Sequence, residues 1–144
     1  MASDHDPGDL ARRCAERMYA DDLASRRLGI TVDEVEPGRA VARMTVTEEM
    51  INGHALCHGG YVFLLADSAF AFACNTYGQV TVAAACDVVF VTSARLDDEL
   101  VATATERVRY GRSGVYDVTV TRGAGEVVAE FRGRSRMLSQ PLVE

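Results

Sequence analysis

The chain has 144 residues, 48% of them hydrophobic and 25% charged, the make-up of one folded domain with a core and too little length for two ordinary ones. No run approaches the ~20 apolar residues of a membrane span, and the opening MASDHDPGDL carries acids and a proline where a secretory signal carries basic and apolar residues, so a cytoplasmic protein is expected. Fifteen basic residues, all arginine, face twenty-one acids; the net charge of −6 argues against nucleic-acid binding, and the lack of lysine removes Schiff-base chemistry.

Residues 1–8 read as a loose tail. From Asp9, an N-cap candidate, Leu10, Cys14, Met18 and Tyr19 recur at helical spacing, which predicts a surface helix over 9–28 that ends near Leu28-Gly29. Ile30 to Glu36 and Arg39 to Val46 read as strands joined through Pro37-Gly38. Asn52-Gly53 and Gly59-Gly60 then bracket an irregular stretch. Tyr61 to Cys74 is too long and Ala-rich for a strand and apolar nearly all round, so it predicts a helix buried on most sides, stopped by Asn75 to Gly78. Four more strands are expected: Val82 to Val91, Leu100 to Arg109, Val115 to Arg122 and Glu126 to Leu138, separated by turn signals at Asp97-Asp98, Gly111 to Gly114 and Gly123 to Gly125. In the last, Val127, Ala129 and Phe131 share one face and Arg132, Arg134 and Arg136 the other. Six strands and one apolar helix predict a single α+β domain, a curved antiparallel sheet wrapped around one long buried helix. Cys14, Cys57, Cys74 and Cys86 show no C-x-x-C spacing and read as reduced thiols, mostly in the core.

Chemistry concentrates in the middle. Asp67 stands among Leu64, Leu65, Ala66, Ala69, Phe70 and Ala71; a carboxylate stripped of water there must find a partner or rise in pKa, and it becomes a stronger base or nucleophile. A purely structural Asp paired with an arginine at a subunit interface is the alternative. His58-Gly59-Gly60 stands just before the helix, whose first amides lack internal acceptors and lie at the positive end of its dipole. Such N–H groups can hold a carbonyl oxygen on which charge develops. Gly59 and Asp67 are eight positions apart, about 12 Å along a helix, too far to serve one carbonyl at reacting distance. A catalytic site is therefore expected between two subunits, and a monomer is expected to be inactive. Zinc chelation by His54 and His58 is disfavoured, because no Glu is placed for it and the glycines interrupt a helix there. A Cys57 nucleophile is disfavoured because adjacent residues in an extended loop point apart.

Asn52-Gly53-His54, Cys57-His58-Gly59-Gly60 and Leu65-Ala66-Asp67-Ser68-Ala69-Phe70-Ala71 resemble the hotdog-fold acyl-CoA thioesterases, in particular the phenylacetate-degradation (PaaI-type) thioesterases. Gly111 to Val118 and Phe131 to Arg136 are similar to the same family's last two strands, so the resemblance covers roughly residues 28–138. It implies a hotdog fold assembled as a homodimer or homotetramer. It also implies hydrolysis of an acyl-CoA without metal or organic cofactor, the CoA being part of the substrate. Carried over by motif, Asp67 is general base or nucleophile, the Gly59 amide polarises the thioester, His58 helps place it, and Asn52 orients Asp67 or the water. Gly60, Arg112, Ser113 and Gly114 belong to the substrate side, with Arg134 and Arg136 expected near the CoA phosphates because guanidinium grips phosphate bidentately. Two departures stand out. Ala83-Ala84-Ala85 replaces a serine that assists the water in many members, with Thr81 a candidate substitute, and Val88 to Ser93 lacks an acid and a basic-Pro pair. The family implies a small aromatic acyl group, phenylacetyl or hydroxyphenylacetyl. A hotdog enoyl-CoA hydratase or dehydratase and a non-catalytic acyl-CoA-binding module are the competing expectations, and Leu56, Tyr61, Leu64 and Phe90 are candidates for the acyl pocket.

Overall fold

Asp6, rather than Asp9, starts the first helix. In the computed structural model, which describes residues 6–144, the Asp6 carboxylate accepts from the Gly8 N–H and Pro7 takes the first helical position, where a missing N–H costs nothing. Helix α1 (Pro7–Asp21) thus absorbs the end of the expected tail, of which residues 1–5 lie outside the described residues. Asp9 instead lies in the first turn, paired with Arg12 and Arg13. The single helix expected to Leu28 is broken at Asp22 (φ −85°, ψ 84°), whose carboxylate caps α2 (Leu23–Arg27) through the Ser25 N–H and hydroxyl. No helix of the described residues is long and apolar enough to cross a membrane.

The remaining elements are β1 (Thr31–Glu36), β2 (Arg39–Thr45), a 3-10 turn at Glu48–Met50, α3 (Gly59–Cys74), β3 (Gln79–Phe90), β4 (Glu99–Tyr110), β5 (Ser113–Arg122) and β6 (Glu126–Pro141). The strands form one antiparallel sheet in the order β1-β2-β4-β5-β6-β3. Helix α3 crosses the sheet, so β3 lands on the edge opposite β1.

Helix α3 lies against the sheet because the facing positions are small. Ala40, Ala42, Ala102 and Ala104 are fully buried beneath it. The Phe70 ring meets Tyr116 and Phe131 at centroid distances of 5.6 and 5.7 Å and fills the space where Gly133 has no side chain. The expected helix stop is real: the Asn75 side chain donates to Ala71 O and Thr81 O and accepts from the Thr81 N–H, tying the end of α3 to the start of β3.

The two sheet edges differ. Strand β1 has six residues, carries a bulge between Val32 and Glu34, presents Asp33, Glu34 and Glu36, and lies beside α1. Strand β3 has twelve residues and no outer neighbour, and among its exposed side chains are Val82, Val89 and Phe90.

Candidate active site

The site is organised by the N-terminus of α3. His58 is the N-cap, in extended conformation (φ −60°, ψ 131°), and its Nδ1 accepts from the Gly60 N–H at 2.8 Å. That bond places the imidazole proton on Nε2 and leaves it free as a donor. The Gly59 N–H, at the first helical position, has no acceptor among the described residues. Neither glycine of the pair has a left-handed backbone. A Cβ on Gly59 would stand 3.1 Å from the Phe90 ring, and one on Gly60 would stand 3.0 Å from His58 Nδ1. Two rings therefore flank the helix end, and side chains at 59 and 60 would push them away.

The four apolar candidates divide between two clefts on either side of this helix end. Leu56 and Phe90 line a cleft of ≈ 320 Å³ with Asn52, Gly59, Thr92 and Ser93. Tyr61 and Leu64 line another of ≈ 460 Å³, with His58, Gly60 and Glu49. Asn52 shares the first cleft with Gly59, but its side-chain oxygen accepts from the His54 and Leu56 N–H groups at 2.9 and 3.2 Å. It shapes the loop that delivers His58, and it makes no contact with Asp67 in its own chain.

Asp67 lies two helical turns further on, half-buried and without a hydrogen-bond or charge partner among the described residues; burial alone holds its carboxyl above the usual range. No arginine of its own chain pairs with it among the described residues. The rise of an α-helix puts it about 12 Å from Gly59. Near it on β3 is Cys86, exposed at the sheet edge and in register with Gly133, on the same face as Val88 and Phe90. Burial first, and then the Asp67 charge, push the Cys86 thiol up. The sequence does not reveal this neighbour, because Val82 to Val91 is apolar on both faces and does not show which side meets α3. Thr81 is not near Asp67: its hydroxyl donates to Gln79 O and its backbone is held by Asn75, at the far end of α3. Cys57 is buried, and burial raises its pKa and so favours the thiol over the nucleophilic thiolate.

A family model described as the thioesterase superfamily matches residues 54–129. The chain is 44% identical, over 124 residues, to the acyl-coenzyme A thioesterase PaaI of Escherichia coli, covering 86% of this chain and 89% of that one. The chain belongs to the thioesterase superfamily. Its fold superposes on the E. coli PaaI structure with a TM-score of 0.92 at 40% identity, covering 94% of this chain and 99% of that one. It also superposes on a phenylacetic acid degradation protein PaaI, mutant N33D, from Thermus thermophilus with a TM-score of 0.78 at 34% identity, covering 81% and 100%. The expected hotdog fold is thereby established, and the protein is a thioester hydrolase.

The other residues expected on the substrate side of this thioesterase gather at one corner of the sheet. Ser113 pairs with Arg136, Gly114 with Ser135, and Arg134 lies between Val115 and Ala85. Arg112 donates to the Ser139 hydroxyl. Gly114 is buried, and a Cβ there would come within 2.8 Å of Ser135 Oγ and Tyr116, so it serves close contact between strands. Arg132 is held by both oxygens of Asp117 at 2.7 and 2.9 Å, whereas Arg134 and Arg136 are exposed and carry no ion pair among the described residues. They stand on the outer face of the same strands whose inner face meets Asp67.

Proposed function

We propose that this thioesterase hydrolyses an acyl-CoA carrying a small aryl-acetyl group, phenylacetyl or hydroxyphenylacetyl, at sites shared between two protomers. The observation that carries the reading is on α3: an unpartnered carboxylate at Asp67 and a free amide at Gly59, both suited to thioester chemistry, on one rigid helix about 12 Å apart. Two such helices running antiparallel bring the Gly59 of one protomer to the Asp67 of the other. The open β3 edge, with Val89 60% and Val82 42% exposed, supports a second copy docked strand to strand. A homodimer is the minimal active unit and a dimer of dimers a further step.

In this scheme the Gly59 N–H receives the thioester oxygen and stabilises it as charge develops, and His58 Nε2–H helps place the group. Asp67 of the other protomer takes a proton from water as that water attacks the carbonyl carbon. The C–S bond then breaks, and the sulfur of CoA leaves with the proton. Direct attack by Asp67, forming an anhydride that water opens, is the variant to be separated by ¹⁸O-water in a single turnover. The residues supply base and oxyanion donor without a metal or organic cofactor. Arg134 and Arg136, left free while Arg132 is paired, take the CoA phosphates. The similarity to proteins named for acyl-CoA hydrolysis and phenylacetic acid degradation supports the substrate class, and four free cysteines suit a reducing cytoplasm.

The test is an acyl-CoA panel read by thiol release, followed by mixing two inactive chains. Gly59→Pro removes the amide while keeping a residue favoured at a helix start, and the extended His58 tolerates a following proline. Asp67→Asn removes the base. Mixed and reassociated, the two chains form heterodimers with one intact site, and activity returns. No recovery in verified heterodimers refutes the shared site; hydration of an enoyl-CoA without thiol release refutes hydrolysis.

A further inference from the structure

Gly59 has an ordinary helical backbone, so its lack of a side chain answers to what lies against it. That neighbour is Phe90, whose Cζ, Cε1 and Cε2 atoms stand 3.1, 3.3 and 3.6 Å from the position of a Cβ on Gly59. The ring belongs to the last residue of β3 and is held in place from both sides. Phe90 pairs with the small, buried Ala129, and the next two amides, Val91 and Thr92, both donate to Val128 O at 2.8 and 3.2 Å. Yet the ring remains 54% exposed and forms one wall of the ≈ 320 Å³ cleft that opens on Gly59. Among the other apolar walls are Leu56, Val62, Val91 and Val128.

We propose that Phe90 sets the upper size of the acyl group this thioesterase accepts. The proposal rests on the hydrolytic reading above, in which the thioester oxygen sits on the Gly59 amide. The carbon chain beyond that carbonyl must then run past the ring that covers the same glycine. A single phenyl ring can lie offset against Phe90; a fused bicyclic group meets it. Its backbone is anchored at Ala129 and Val128, so the ring stays against Gly59 unless its side chain turns to another rotamer. Of the residues lining the cleft from the β3 end, Val91, Thr92 and Ser93 are smaller, so Phe90 is the large apolar obstacle on the sheet side.

The experiment compares kcat/KM for phenylacetyl-CoA and 1-naphthylacetyl-CoA in wild type, Phe90→Ala and Phe90→Leu. Phe90→Ala raises the naphthyl-to-phenyl ratio by at least ~10-fold, the scale of a few pocket carbons, and Phe90→Leu, which keeps an apolar anchor for the strand end, moves it the same way by less. A ratio unchanged in both variants overturns the proposal, including the case in which both substrates slow together, as they would if Phe90 only steadied the helix end. If wild type hydrolyses phenylacetyl-CoA and the ratio stays fixed, only the role of Phe90 falls. If wild type releases thiol from no acyl-CoA, the hydrolytic reading falls and this proposal with it.

Discussion

Replacing Gly133 by alanine tests whether the closeness of helix and sheet described above is real. A Cβ at 133 would lie 2.7 to 2.8 Å from three atoms of the Phe70 ring, whereas carbon atoms rest at about 3.5–4.0 Å. The ring has nowhere to go: Phe70 is 1% exposed and cornered by Tyr116 and Phe131. Relief therefore needs α3 to lift off β6 or Phe70 to leave its rotamer, a kind of overpacking that costs about 1–3 kcal/mol. An unfolding entropy of about 2.1 cal/mol/K per residue gives about 0.3 kcal/mol/K for a chain of this length, so the melting temperature should fall by about 3–10 °C. The assay is thermal unfolding of Gly133→Ala, Phe70→Leu and the double variant at one protein concentration. The double variant should lose less than the sum of the singles, because the smaller side chain makes room for the new methyl. A Gly133→Ala protein that melts within about 1 °C of wild type, or strictly additive losses, would refute the proposed contact. Asp67 is one turn from Phe70, so kcat should fall with the lift.

Asp67→Asn should lower kcat by at least ~10²-fold without changing the protein's sedimentation, as read by thiol release and ultracentrifugation. In wild type, kcat/KM should rise with pH through a value above the ordinary carboxylate range, because burial raises the Asp67 pKa and the charged form is the active one. The same shift means the folded chain binds the proton more tightly than the unfolded one, so this group's stabilising contribution is present at low pH and lost as pH rises through the folded value. Asp67→Asn should therefore be more stable than wild type at neutral pH, and the gain should vanish in acid; equal denaturant midpoints at both pH values would contradict this. Changing Arg134 and Arg136 together to alanine should raise KM for the CoA thioester more than it lowers kcat, and an unchanged KM removes them from phosphate binding. A chelator should leave the rate untouched, and a loss restored by zinc would return the histidine pair to consideration.

Much of this was written in the order of residues. A helix apolar on all sides, with Asp67 inside it and a glycine pair at its start, was legible because burial on every face leaves few other arrangements. The six strands announced themselves through β-branched runs and turn residues. The misreadings are those in which a local rule had two equal answers or a distant residue decided. Asp6 and Asp9 are both able caps, and Pro7 chooses the first. The break at Asp22 depends on Ser25, whose hydroxyl meets Ser68 of α3 at 3.1 Å, a contact 43 residues away in the chain. Thr81 looked available to assist the water because the sequence does not show that its hydroxyl is given to Gln79 O and its backbone N–H to Asn75. Bulges matter too: the extra residue between Ala83 and Ala85 puts the start of β3 out of phase with Cys86, Val88 and Phe90, so one alternation cannot be run through Val82 to Val91.

The unlike ends of the sheet carry a consequence for growth. A flat, greasy border invites pairing, and a protein with two of them can polymerise without limit. Here the invitation is issued once. When two copies join through β3, the continuous sheet that results is terminated at both extremities by β1, kinked at Val32–Glu34, bristling with carboxylates and shielded by α1. In the dimer proposed above, that join would occupy the β3 edge of both copies, and lateral addition would stop at two. The same strand that would let a protomer share its chemistry would then leave no open apolar edge among the described residues to seed a fibril.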